Sequence, residues 1–364
     1  MTVEVRAVAS RGERRLFRDL PARLFGGDPA FVPMLDVAFR AVFHPGNPFW
    51  THAVSSEWLA RRGGEVVGRI GACDDRSLRD ASGCGAVGFF DAVEDDDVSA
   101  ALFRAAGAWL RDRGCTRARG PLSYSIHDTA AVLVEGFATP PTIDTTWNPA
   151  YYARLWEADG FSGVQDMVAL ERDGNLARAR GNRFAERARR RGVVIRGLDM
   201  GRFAEELAAA TEVYNTAWQD NWGHVPITAE EFAFKAKDMK AVLDHGLIAI
   251  AECEGRVVGL TLAMPDLNVA IKKSRGRLLP WGWLRLLRAK HCGRARCMLL
   301  GVIPGFRKRG IEAALLGEIM AHFDQQYRWA EASWVLADNA EMLNGLKLYD
   351  MVPYKRWRMY EKKL

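Results

Sequence analysis

The chain repeats itself, and that constrains its fold more than any other feature. Trp58–Ala72, WLARRGGEVVGRIGA, matches Ile248–Ala263, IAIAECEGRVVGLTLA. Each reads as a strand, a tight glycine turn and a second strand. Further on, Asn148 opens NPAYYARLWEADGF and Asn339 opens NAEMLNGLKLYDMV. Gly68 and Gly259 are 191 residues apart, as are Asn148 and Asn339. Each asparagine precedes a helical pattern whose free amides it can cap. Two matches in the same order make duplication the best account. A chain of 364 residues is long enough for two such copies, each with its own core.

The spacing places one copy over 1–172 and the other over 193–364. Between them, 173–192 is a basic, glycine-punctuated segment expected to form a connecting helix on the surface. The second copy then opens with a strand at Val193, a helix over Phe203–Trp218, and a loop QDNWGHVPI. Thr228 and Glu231 form a capping box for the next helix.

Composition excludes several classes. No apolar run approaches the ~18 residues of a membrane span, and the N-terminal MTVEVRAVASRGERR has no apolar signal core. Six cysteines are scattered without C-x-x-C pairs, and seven histidines form no ligand-spaced cluster. Reduced thiols, no metal site and a cytoplasmic location are the expectation.

Met298–Leu316, MLLGVIPGFRKRGIEAALL, carries the chemistry. It reads as a buried strand, a basic turn ending in glycine, and a helix. Arg307, Lys308, Arg309 and Gly310 bring charge and backbone amides to a helix N-terminus, which suits a diphosphate. The pattern resembles the acyl-CoA signature of the GNAT acyltransferase superfamily: Arg or Gln, two residues, Gly, one residue, Gly or Ala. Arg307, Gly310 and Ile311 fit, whereas Glu312 occupies the last small position.

The resemblance implies an α+β architecture of two tandem GNAT domains, each a mixed, mostly antiparallel sheet flanked by helices. Acyl-CoA would be the co-substrate, with no metal. It also implies a bulged fourth strand whose backbone meets the CoA arm, here at Leu300, Gly301 and Val302. In the first half the matching position reads Glu94-Asp95-Asp96-Asp97, four carboxylates that would repel a pyrophosphate. The 1–172 copy is therefore expected to be degenerate. Its Ser123–Phe137 stretch reads as ordinary core strand and loop.

Between Asp266 and Glu312 there are twelve Lys or Arg and no acidic residue, in a chain whose net charge is only +6. This insert, 267–296, includes Gly276–Lys290, GRLLPWGWLRLLRAK. At helical spacing, Leu279, Trp283, Leu286 and Leu287 share a face. Trp281 and Leu284 widen it, and Arg277, Arg285, Arg288 and Lys290 edge it. A short helix of this kind suits an anionic bilayer surface, giving peripheral contact through 272–296 at the inner face of the cytoplasmic membrane. Core packing and a dimer contact compete for the same face. Nucleic acid fits poorly, because the segment is rich in Leu and Trp and no recognition motif accompanies it.

Acyl transfer to an amine needs a proton acceptor and a donor to the oxyanion. Glu331, Asp266 and His224 are the candidates for the base. GNAT enzymes often use a Tyr seven residues after the motif asparagine as general acid. Here that position is Leu346, and Tyr349, one helical turn on, is the substitute; Asn339 joins the CoA-binding set. The segments NPFWTHA, LVEGF, WNPAYYARLWEADGF, NWGHVP, PDLN and SWVLADN together resemble the tandem GNAT-like family that includes the bacterial ceramide synthases. That resemblance implies transfer of a fatty acyl group from acyl-CoA to the amino group of a sphingoid-type long-chain base. A GNAT acetyltransferase acting on a small soluble amine, or a non-catalytic CoA-binding protein, are the alternatives.

Overall fold

A computed structural model describes residues 2–174, 186 and 188–364; most of the connecting segment expected over 173–192 lies outside the described residues. The chain runs β1 (Val3–Ala7), α1 (Arg11–Phe25), α2 (Asp36–Val42), β2 (Ala53–Arg62), β3 (Glu65–Asp75), α3 (Arg76–Ser82) and β4 (Cys84–Ala92). It continues with α4 (Asp96–Arg111), β5 (Arg117–Gly120), β6 (Val132–Glu135), α5 (Tyr152–Ala158) and β7 (Ser162–Asp173). Then come β8 (Val193–Arg196), α6 (Phe203–Ala217), α7 (Ala229–Met239), β9 (Ile248–Cys253), β10 (Arg256–Pro265), α8 (Asn268–Lys273) and α9 (Gly282–Leu287). The last elements are β11 (Arg294–Val302), α10 (Ile311–Gln326), β12 (Trp329–Leu336), α11 (Ala340–Lys347) and β13 (Val352–Lys363).

Two compact units divide these elements. One holds Met1–Met167, Ile271–Leu278 and Lys355–Leu364; the other holds Val168–Ala270 and Leu279–Tyr354. In the first, β1 to β4 pair antiparallel in sequence order and β5 joins β4 in parallel. In the second, β8 to β11 repeat that antiparallel order and β12 joins β11 in parallel. This is the expected α+β plan in duplicate. The repeated hairpins are β2–β3 and β9–β10. Their shared glycines have a packing reason. A Cβ on Gly68 would lie 2.8 Å from Leu102 of α4, and one on Gly259 would lie 3.0 Å from the Gly301 carbonyl and 3.4 Å from Leu315 of α10. Each glycine lets its unit's main helix settle onto the sheet.

The division departs from the expected 1–172 and 193–364 at the last strands. β13 closes the first unit's sheet, pairing Tyr360 with Gly120 and Lys363 with Arg117, and it also carries β6. Residues from Val168 onward in β7 belong to the second unit. Ladder hydrogen bonds do not distinguish strands by sequence, so side chains decide which strand fills an edge. Trp357 and Tyr360 of β13 are fully buried in the first core, with Tyr360 stacked 5.9 Å from Trp156. Each such aromatic contributes about 1.5–3 kcal/mol by burial. Arg358 binds Asp166 through two nitrogens, at 2.8 and 3.0 Å.

Other expectations fare unevenly. Thr228 and Glu231 form their capping box, and Asn339 caps α11 through the Met342 amide at 3.0 Å. Asn148 caps nothing: its side chain instead pairs with both the N–H and the carbonyl of Leu133. The helix expected across Gly276–Lys290 shrinks to Gly282–Leu287, because Gly276 takes φ +74° and Pro280 supplies no amide. Gly276 accepts the Asp36 N–H at 3.0 Å, and Ile271–Leu278 of the insert belongs to the first unit.

Candidate active site

Both units carry a bulge on the fourth strand. In β11, Leu262 opposes Leu299 while Ala263 opposes Cys297, leaving Met298 as the extra residue. In β4 the shift lies between Arg69 and Gly71, opposite Phe89 and Phe90. A bulge bends its strand away from the neighbouring one. Accordingly β11 pairs with β12 only from Arg294 to Cys297, and β4 with β5 only from Cys84 to Ala86. Beyond those points each pair of strands opens into a wedge.

The first unit fills its own wedge. Leu122 donates its N–H to the Val87 carbonyl at 2.9 Å, and a Cβ on Gly88 would sit 1.6 Å from the Leu122 carbonyl oxygen. Tyr124, fully buried, donates to Glu57 at 2.7 Å. The helix end is also occupied, since Asp95 accepts the Asp97 and Val98 amides at 3.0 and 3.1 Å and is clasped by Arg62. Arg62 pulls the Asp95 carboxyl below its usual range. A built-in carboxylate sits where a phosphate would bind.

The second unit leaves its wedge open. A cleft of about 980 Å³, solvent at its mouth included, is lined by Met298 and Leu300 of β11, Ser333 to Leu336 of β12, and Leu316 to Phe323 of α10. At its C-terminal end β11 passes into the basic turn. Lys308 and Gly310 take left-handed φ of +62° and +83°, and the N-terminus of the 16-residue α10 has no side-chain cap. These amides are free to meet an anion. Arg307 behaves differently from expectation: its guanidinium donates to the Val302 carbonyl at 3.1 Å and the Ala217 carbonyl at 2.5 Å, clamping the turn. Arg309 lies over Phe306 at 4.9 Å. Burial pushes the Glu312 carboxyl up, while its own amide pulls it down, so Glu312 competes for one of the donors. Gly301 is required for close approach, since a Cβ there would meet the Trp218 ring at 2.4 Å.

Of the candidate bases, Glu331 lies on the cleft wall. It is 1% exposed and pairs with Arg296 at 3.7 Å; Ser333 and Tyr354 both donate their hydroxyls to it. Arg296 also donates to Ser333 Oγ at 2.8 Å and to its carbonyl at 3.0 Å. Burial, then the Glu331 charge, pushes the Tyr354 hydroxyl far up, so it stays a donor. Tyr349 and Asn339 line the same cleft. Asp266 does not: its carboxylate is taken by Arg294 at 3.3 Å and by the Asn268 amide at 3.2 Å, and burial pushes its pKa up. His224 is also absent from the lining, although its neighbour in the loop, Asn221, is there. Its buried Nε2 has no hydrogen-bond partner, and burial lowers its pKa, keeping the ring neutral.

The sequence by itself does not single out Ser333, Tyr354 or the buried role of Arg296. In the sequence Arg296 is one of the twelve basic residues between Asp266 and Glu312. Its alternation with the apolar residues of β11 was the available signal, but its partner appears only once Arg296 is set opposite Glu331. Arg294 is likewise withdrawn from the basic patch, stacked on Trp329 at 3.5 Å. Among the described residues there is no group of three or more His, Cys, Asp or Glu able to hold a metal, and no helix long and apolar enough to cross a membrane.

No protein-family model matches the chain. The chain is 35% identical to the bacterial ceramide synthase of Caulobacter vibrioides (strain NA1000 / CB15N), over 98% of its own length and 96% of the relative's. It is 33% identical to protein YghO of Escherichia coli (strain K12), over 99% and 95%. Among solved structures, a tandem GNAT protein from the clavulanic acid biosynthesis pathway superposes with a TM-score of 0.59 at 15% identity, covering 99% of this chain and 98% of that one. A GCN5-related N-acetyltransferase from Sphaerobacter thermophilus gives 0.55 at 15% identity, covering 99% and 95%. The tandem GNAT fold and the full-length identity agree: the chain belongs to the family of the bacterial ceramide synthase.

Proposed function

We propose that this protein is an acyl-CoA N-acyltransferase that joins a long fatty acyl chain to the amino group of a sphingoid-type long-chain base. The open β11–β12 wedge beside the uncapped N-terminus of α10 carries the reading. The acceptor class is drawn from the similarity to the bacterial ceramide synthase.

In this reading the pyrophosphate meets the amides of Lys308 to Ile311, with Arg307 holding the turn in place. The CoA arm lies along Leu300, Gly301 and Val302, near Asn339. The thioester carbon then reaches the bulge at Met298. The acceptor arrives as an ammonium and gives its proton to Glu331, with Tyr354 and Ser333 holding that carboxylate in place. The neutral nitrogen forms a bond to the carbonyl carbon, the adduct's nitrogen gives one further proton to solvent, the C–S bond breaks, and CoA leaves as a thiol after taking a proton from solvent or from Tyr349, which solvent reprotonates. General base catalysis of this kind contributes typically 10²–10⁴-fold. The first unit, its wedge filled and its helix end capped, contributes no second CoA site.

A lipid acceptor lies at a bilayer. Leu279, Trp281, Trp283 and Leu287 are exposed, the first two at 80% and 67%, and Arg285 and Arg288 are exposed beside them. This set forms a peripheral contact with the inner face of the cytoplasmic membrane, each basic residue adding about 1 kcal/mol on an anionic surface. The test is free-thiol release from palmitoyl-CoA and from acetyl-CoA, each with and without a long-chain amino base in anionic liposomes, with the product identified by mass. Base-dependent release from palmitoyl-CoA with an N-acyl product supports the reading. Release from acetyl-CoA alone points to a small soluble amine, and no release under any condition to a CoA-binding role.

A further inference from the structure

We infer that the inner part of the β11–β12 cleft is an acyl-chain pocket, and that Ile319, Met320 and Phe323 of α10 set the longest chain it accepts. The inference rests on the acyl-CoA reading and names where that ligand's hydrocarbon goes. Burial divides the lining into two zones. Met298, Leu300, Trp218 and Asn339 are partly exposed, so they mark the opening. Ile319, Met320, Phe323, Tyr349 and Met351 are 4–7% exposed and form the interior.

Three observations favour hydrocarbon over the polar CoA arm inside. The strands facing this interior contribute alanines, Ala295, Ala330 and Ala332, where larger side chains would close the space. Protein cores pack densely, and an unfilled apolar space costs stability, so a persisting one suits an apolar guest. Met320, Met342 and Met351 line it, and unbranched methionines adapt to a flexible chain. Glu331 and Ser333 on the wall are bonded to each other and to Arg296. From Leu316 to Phe323 the apolar wall extends about 10 Å further along α10, away from the phosphate turn.

The test is binding of a chain-length series, from free CoA and acetyl-CoA to stearoyl-CoA, to the full-length protein by calorimetry. Each buried methylene should tighten binding about fourfold until the chain reaches the floor. Met320→Trp should move that limit to shorter chains; losing room for four methylenes costs roughly two-hundredfold for palmitoyl-CoA. The loss should shrink as the chain shortens and be least for free CoA. Phe323→Ala should move the limit outward, and Ala330→Leu replaces Met320→Trp if that variant fails to fold. A chain-length profile that superimposes on wild type in the folded variants, with CoA still bound, overturns the pocket while sparing the acyl-CoA reading. A folded wild type that binds no CoA overturns both.

Discussion

Removing Arg296 should cost the second unit more stability than almost any other polar substitution. Arg296 and Glu331 are 4% and 1% exposed, with Nε and Oε1 3.7 Å apart. At that separation and an effective dielectric of about 20, the attraction is about 4–5 kcal/mol. Arg296→Met leaves Glu331 buried without its cation, an imbalance that costs about 3–5 kcal/mol. It also leaves the Ser333 carbonyl without its 3.0 Å donor. For a unit of this size the loss corresponds to a fall in Tm of about 6–20 °C. Replacing both partners, Arg296→Met with Glu331→Leu, removes the unpaired charge and should recover most of the loss. Urea unfolding followed by circular dichroism measures it as a shift in midpoint at constant slope. A single variant that loses under about 1 kcal/mol, or a double variant no better than the single, refutes the reasoning.

Three further outcomes are expected. Glu331→Gln should lower kcat by about 10²–10⁴ while acyl-CoA affinity stays within a few-fold; unchanged kcat would move the base elsewhere. Arg307→Ala should cost about 1–3 kcal/mol by orphaning the carbonyls of Val302 and Ala217, and weaken CoA binding as well. Lys308→Ala should weaken CoA binding alone, so equal stabilities for the two variants would refute the clamp. In acid, Arg358 and then Arg356 hold the Asp166 carboxyl below its ordinary 3.8. The folded state therefore binds fewer protons than the unfolded one near that pH, and the pair's stabilisation is present above 3.8 and lost as pH falls through and below it. Asp166→Asn should lower stability at neutral pH and flatten the acid limb of thermal unfolding; an unaltered acid limb would count against it.

Glu361 of β13 is buried between Arg119 at 2.8 Å and Arg117, both on β5, and Lys355 donates to the Gly136 and Thr139 carbonyls at 2.7 Å each. The C-terminal strand is thus committed to the first unit by specific side chains. Truncation before Lys355 would remove Trp357, Met359 and Tyr360 from that core together.

Local signals alone determined a good deal. The hairpins β2–β3 and β9–β10 follow from apolar runs either side of glycine turns, the Thr228 cap from its box, and the turn into α10 from the basic, glycine-ended stretch Arg307–Gly310. All of these are written within a few consecutive residues, because turn geometry and helix ends are set by neighbours along the chain. The register of β10 on β11 decided that Met298 is the bulge, and tertiary packing decided that Leu122 fills one wedge while the other stays open. It also separated two arginines of one basic insert, placing Arg296 beside Glu331 and leaving Arg285 exposed. Pairing, burial and cavity are properties of residues far apart in sequence, and no local pattern encodes which of several equivalent strands and side chains will meet.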